Sequence, residues 1–206
     1  MKEKILVIGN YEDAMYHPLA GVDAELHDMF PEKELICTDD TGMLLQLEVQ
    51  GFVGVISYLD IWDGKLAEEE AQALATFVEG GGALLLLHNG ISIQSDARLE
   101  AMMGGRFLMH PPMEMITFEV KKHLITKGCD GFSMEEEPYQ FALLPDDKEV
   151  FLTYWYREKE YIAGWSKEIG KGRLVFLTPG HTPEKFKEPS YVKLIKRSME
   201  WCLRKS

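Results

Sequence analysis

The sequence has few cysteines. The three, Cys37, Cys129 and Cys202, are far apart, odd in number and form no CxxC pair. Neither a disulfide framework nor a thiolate zinc site is expected from that pattern. Cys37 closes an apolar segment and Cys202 falls on an apolar helix face, so both read as small buried hydrophobes. No apolar run approaches the roughly 18 to 20 residues needed to cross a bilayer, so no membrane span is expected. The apolar part of the N-terminal segment is too short for a signal peptide and lacks a small-residue cleavage site, which points to a cytoplasmic protein. Basic residues are in deficit, 22 against 34 acidic, for a formal net charge of −12. That balance opposes nonspecific binding to nucleic acid or anionic lipid. The late basic residues Lys193, Lys196, Arg197, Arg204 and Lys205 lie on or after a predicted helix, where they solvate its face and complement its dipole. Internal repeats, low-complexity segments and linkers are also lacking, and 206 residues suit one domain, 1–206.

What is present is an alternation of strands and helices. Strands are expected at 4–9, 34–38, 52–58 and 83–88, with helices over 18–30, 67–79 and 95–103. Pro18 suits a first helical turn. Ala71, Leu74, Ala75 and Val78 form the apolar stripe of the second helix, and Glu68, Glu69 and Glu70 favour its N-terminal dipole. Ser95 is the candidate N-cap of the third, and Gly104 its stop. Gly80-Gly81-Gly82 precedes a strand rather than following one, so it reads as a turn and not as a phosphate cradle. This order predicts an α/β fold with a mostly parallel sheet and helices on both faces. The second half predicts short strands at 115–120, 139–143, 150–155 and 161–165, as antiparallel additions along one edge or over the site. A buried strand at 173–178 and a helix over 190–203 close the chain.

The run Ala83-Leu84-Leu85-Leu86-Leu87 stops abruptly at His88, with Asn89-Gly90 behind it. A buried parallel strand ending in a sharp turn places His88 where open α/β sheets put their ligands. Other polar loops are expected at the same edge. They are Tyr16-His17-Pro18, Gly104-Gly105-Arg106-Phe107 with His110-Pro111-Pro112, Glu135-Glu136-Glu137-Pro138-Tyr139-Gln140, and Thr178-Pro179-Gly180-His181. Four histidines thus fall in one set, and imidazoles serve as acid, base or metal ligand near neutral pH. No HExxH spacing is present. His27 reads as a helix-surface residue and His123 is left open. Glu135 and Glu136 read as solvated charges, whereas Pro138 fixes the backbone beside Glu137. Trp62, Tyr139, Trp155 and Trp165 suit either a sugar-stacking surface or ordinary core.

Taken in order, Leu-Leu-His-Asn-Gly, Gly-Gly-Arg-Phe-x-x-His-Pro, His-x-Ile-Thr-x-Gly, Glu-Pro-Tyr and Gly-His-Thr-Pro-Glu resemble the ThuA-like trehalose-utilisation family. The resemblance implies a flavodoxin-like, class I glutamine amidotransferase-like fold. In such amidotransferases the elbow holds a cysteine, and a distant His-Pro-Glu supplies the rest of a triad. Here Leu86-Leu87-His88-Asn89-Gly90 occupies the elbow, and His181-Thr182-Pro183-Glu184 looks like the distant element with one residue inserted. With no thiol at the elbow, glutaminase activity is not expected. The family implies metabolism of disaccharides such as trehalose and their keto derivatives.

The leading expectation is a lyase, isomerase or hydrolase of keto-sugars. His88 serves as base, His181 or Glu137 as partner, and His17 and His110 bind a divalent metal such as zinc. Arg106, Tyr139, Gln140, Asn89 and Glu184 are the candidate substrate-binding residues. The alternative is a noncatalytic sugar-binding or regulatory protein in which Arg106 and Gln140 orient a ligand without reacting. A third reading is a bare scaffold using its loops as an oligomer interface; a homodimer is compatible with the fold.

Overall fold

A computed structural model describes residues 2–204 apart from 13 and 146. Lys205, among the late basic residues, lies outside the described residues. The apolar runs become the central strands. These are β1 (Lys4–Gly9), β2 (Glu34–Thr38), β3 (Phe52–Tyr58) and β4 (Ala83–Leu87), with the expected bounds except that β4 stops at Leu87. Helices α1 (Val22–Met29), α2 (Glu68–Gly80) and α3 (Ala97–Met103) alternate with them.

The later strands are β5 (Gly105–Met109), β6 (Glu114–Val120), β7 (Phe132–Glu136), β8 (Gln140–Leu143), β9 (Glu149–Tyr156), β10 (Lys159–Ile169) and β11 (Gly172–Leu177); α4 (Pro189–Cys202) follows. One nine-stranded sheet has the order β2-β1-β3-β4-β11-β10-β9-β6-β7. Its first five strands are parallel and its remaining pairings antiparallel. The parallel half has the flavodoxin-like 2-1-3-4-5 order, with β11 in the fifth place. β5 and β8 form a separate antiparallel ribbon. The expected additions therefore occur both along one edge and as a separate ribbon that brings Phe107 and Met109 to a cavity wall.

Alternation along each strand builds two cores. Ile5, Val7, Leu85, Leu87, Val175 and Leu177 face α1 and α4, while Leu6, Leu84, Leu86, Leu174 and Phe176 face α2 and α3. The leucines of β4 are fully buried, each worth about 1.5–3 kcal/mol relative to exposure. Covering both faces is what a continuous apolar strand requires.

Two helix starts differ from expectation by more than one residue. α1 begins at Val22 rather than Pro18, because Leu19 N–H donates to the Asn10 carbonyl at 2.7 Å and Gly21 adopts φ 86°. The cap of α3 is Asp96, not Ser95: its carboxylate accepts from Arg98 N–H at 2.9 Å and Leu99 N–H at 3.1 Å. Ser95 instead ends a 3-10 stretch over His88–Ser95. Gly104 closes the helix in the left-handed region at φ 76°. Among the described residues no helix is long and apolar enough to cross a membrane.

Candidate active site

The C-terminal ends of β1, β3, β4 and β11 lie side by side, so the residues that follow them share one edge of the sheet. Leu87 of β4 pairs with Leu177 of β11, which places His88 level with Thr178. His88 sits at the strand-to-turn elbow with φ 47° and no exposure. A non-glycine residue held there costs about 1–3 kcal/mol, a strain that surrounding structure must enforce. Gly90 shows the enforcement: a Cβ on it would lie 2.1 Å from the Ser57 carbonyl oxygen. Asn89 locks the same turn, its Nδ2 donating to the Tyr58 carbonyl at 2.8 Å.

The His88 Nδ1–H donates to the Thr178 carbonyl at 2.7 Å, which fixes the tautomer and leaves a lone pair on Nε2. That Nε2 lies 3.2 Å from His17 Nε2, 3.2 Å from the Tyr139 hydroxyl and 3.4 Å from Glu137 Oε2. His17 Nε2 is also 3.0 Å from His181 Nδ1, whose own distance to Glu137 Oε2 is 3.2 Å. Four donor atoms, from His17, His88, Glu137 and His181, thus lie within 4.8 Å of one another. His88 and His181 ring centroids are 5.5 Å apart.

The electrostatics follow from this crowding. Burial opposes ionisation of Glu137, but the surrounding imidazoles of His17, His181 and His88 outweigh it and hold the carboxyl far below the usual carboxylate range. Burial likewise disfavours a charged His17, yet the carboxylates of Asp60 and Glu137, 3.6 and 3.8 Å from its ring nitrogens, raise its pKa overall. Asp60 is lowered despite burial, by the nearby His17 ring and by hydrogen bonds from the backbone N–H groups of His17 and Tyr16. Those N–H groups donate to Asp60 Oδ2 at 2.7 and 2.6 Å.

Above this floor opens a cavity of about 500 Å³ lined by Tyr16, His17, Trp62, Phe107, Met109, His110, Glu137, Tyr139 and His181. Its size falls within the range of roughly 300–1,000 Å³ common for small-molecule sites. One wall is aromatic: Trp62 and Phe107 centroids are 4.9 Å apart, Phe107 and Tyr139 4.5 Å, and His110 stacks on Tyr139 at 5.5 Å. His110 Nδ1–H donates to the Pro111 carbonyl at 2.9 Å, and its Nε2 lies 3.6 Å from Glu137 Oε1.

Of the residues expected at the site, His17, His88, His181 and Glu137 converge, while His110 and Tyr139 border the cavity. Arg106, Gln140, Glu184 and Asn89 do not line it. Arg106 is exposed and pairs with Glu100 at 3.0 Å; Glu184 is exposed on a 3-10 turn over Pro183–Lys187. Gln140 opens β8 opposite Met109. Trp62 alone of the tryptophans lines the cavity, since Trp165 is buried in the core and Trp155 is exposed outside it.

Glu136 is not a solvated charge but has no exposure. His27 lies exposed on α1. His123 lines a different cavity of about 970 Å³. There its Nδ1 accepts from Ile125 N–H at 3.1 Å, so the His-x-Ile-Thr-x-Gly segment is a pinned turn. Asp60 and Glu136 escaped sequence reading because a carboxylate in an acidic loop looks like surface. The signal available for Asp60 was its place just after β3, level with the loop that carries His17.

The fold and site define an α/β chain whose elbow carries an imidazole instead of a thiol. The model of the ThuA family, described as trehalose utilisation, matches residues 32–202, and the chain belongs to that family. No curated protein matches it. A ThuA-like protein from Bacteroides uniformis superposes with TM-score 0.79 at 18% identity, covering 99% of this chain and 92% of that one. Another from Parabacteroides merdae gives 0.79 at 14% identity, with 98% and 90% covered. The N-terminal domain of mmIFT52 gives 0.70 at 13% identity, with 98% of each chain covered. At these identities the likeness is one of fold.

Proposed function

We propose that this ThuA-family protein is an enzyme acting on a carbonyl derivative of a sugar, such as a keto-disaccharide, at a site where His17, His88, His181 and Glu137 hold a divalent cation. The observation that carries the reading is the convergence of those four donors on the floor of an aromatic-walled cavity.

The donor set fits a cation. A tetrahedral zinc with bonds of about 2.0–2.1 Å spaces its ligand atoms by about 3.3 Å. Five of the six separations here are 3.0, 3.2, 3.2, 3.4 and 3.8 Å, and all six lie within 4.8 Å. Glu137 Oε2 is a buried acceptor without a hydrogen bond, which a bound cation would satisfy. Imidazole and carboxylate donors suit zinc and related ions. When bound, such an ion supplies Lewis acidity toward a substrate oxygen.

The remaining chemistry falls to side chains of this protein. The geometry favours His110 over His88 as the base, because His88 is fully buried and its Nε2 faces the donor cluster. His110 Nε2 sits at the cavity wall, outside the four-donor cluster. A proton leaving the carbon beside a sugar carbonyl would pass to His110 Nε2, while the C–H electron pair forms a carbon–carbon double bond and the carbonyl π pair moves onto oxygen. Trp62 and Phe107 would take the apolar face of the sugar ring and exclude water. Cytoplasmic location and a small-molecule carbohydrate as partner belong to the same reading.

The test is a keto-disaccharide screen with product detection by mass spectrometry, coupled to elemental analysis. His110→Ala should lower turnover about 10²–10⁴-fold and leave zinc content unchanged. Ligand-dependent stabilisation with no product from any sugar would select the noncatalytic binding reading instead.

A further inference from the structure

Strand β7 alternates buried and exposed residues, with Phe132, Met134 and Glu136 facing inward. The third inward position is thus a carboxylate where the pattern calls for an apolar side chain. Its partners are backbone donors. Glu136 Oε1 accepts from Glu137 N–H at 2.9 Å, and Oε2 accepts from Gly180 N–H at 2.7 Å and His181 N–H at 3.2 Å. One fully buried carboxylate therefore clasps two segments 44 residues apart in the chain. Gly180, at φ 137°, turns the loop so that two successive N–H groups reach the same oxygen.

Those two segments carry Glu137 and His181, whose side-chain donors meet at 3.2 Å. Asp60 repeats the device on the opposite side of the cluster, holding the N–H groups of Tyr16 and His17. We infer that Glu136 is a positioning residue of the proposed cation site, setting the separation between Glu137 and His181 through their backbones without itself contacting the ion. This inference rests on the cation reading for its binding readout only. Outer partners that orient ligands in this way change metal affinity about 10–100-fold when altered.

The experiment compares wild type with Glu136→Gln, which keeps the side-chain shape but replaces one acceptor oxygen by an NH₂ group that cannot accept. Zinc affinity is read by competition with a chromophoric chelator. Long-range ¹H–¹⁵N spectra of the imidazoles are recorded on the metal-free protein. The expected result is zinc affinity weakened at least 10-fold, with displaced His181 resonances and unmoved His123 resonances. Wild-type affinity together with unmoved His181 resonances would overturn the inference, even if the melting temperature fell. If wild type itself takes up no zinc, the cation reading fails and the His181 resonances alone decide the role of Glu136. Should Glu136→Gln not fold, Glu136→Asp is scored by the same criteria, since its shorter side chain cannot span both segments.

Discussion

Zinc should stabilise this fold, and replacing His181 should abolish most of that stabilisation. His181 is the informative ligand because its side chain is 22% exposed, whereas His88 is fully buried. Truncating a partly exposed ring costs the metal-free fold little, so the ligand effect stands apart from packing. With free zinc at about 100 times its dissociation constant, binding adds about 2.7 kcal/mol to the folded state. Unfolding 206 residues carries an entropy of about 0.4 kcal/mol per kelvin, so the melting temperature should rise by about 6 °C. A ligand in direct contact should matter at least as much as the outer partners, whose loss costs up to about 100-fold. At the same zinc concentration His181→Ala would then sit near half-saturation, and its melting temperature should rise by about 1 °C. Differential scanning calorimetry with and without zinc measures both shifts. Equal shifts in the two proteins would refute the assignment of His181, and no shift in wild type would refute the cation site.

Two further outcomes are expected. Burial lowers the pKa of His123 more than nearby Glu149 raises it, so below the unfolded value of about 6.5 the unfolded chain binds the extra proton. Stability from this residue is therefore complete above that pH and lost as pH falls toward the folded value. His123→Asn keeps an acceptor for Ile125 N–H but cannot titrate, so urea midpoints between pH 7 and 5 should fall less steeply; parallel slopes would count against the argument. Gly90→Ala places a methyl group 2.1 Å from the Ser57 carbonyl oxygen and should destabilise by about 1–3 kcal/mol or more, read as a lower urea midpoint at unchanged slope.

The legible parts of the fold were those whose burial is continuous. β1, β2 and β3 have the bounds their apolar runs imply, and β4 differs only in stopping at Leu87. β5 was missed because its strand is half exposed, with only Gly105 buried, so no alternation marks it. β7 was missed because its third inward residue is Glu136, and a carboxylate breaks the apolar period. The same substitution hid the residue that holds Glu137 and His181. The imidazoles of the site were legible because they terminate or follow strands of one parallel layer, where topology gathers side chains without any local spacing. Arg106 and Glu184 lie outside the cavity for the converse reason: motif neighbours in sequence need not face it, and both are exposed.

β7 is the rim strand of the nine-stranded sheet, paired on one side only. Rim strands open more cheaply than interior ones, through local fluctuations that leave the rest of the molecule intact. Here such an excursion would carry off Glu136 and Glu137 together, withdrawing the negative charge from three histidines still seated on the rigid half. Amide exchange along β7 and occupancy of the pocket should accordingly be linked, so that whatever fills the pocket slows exchange at the margin of the sheet.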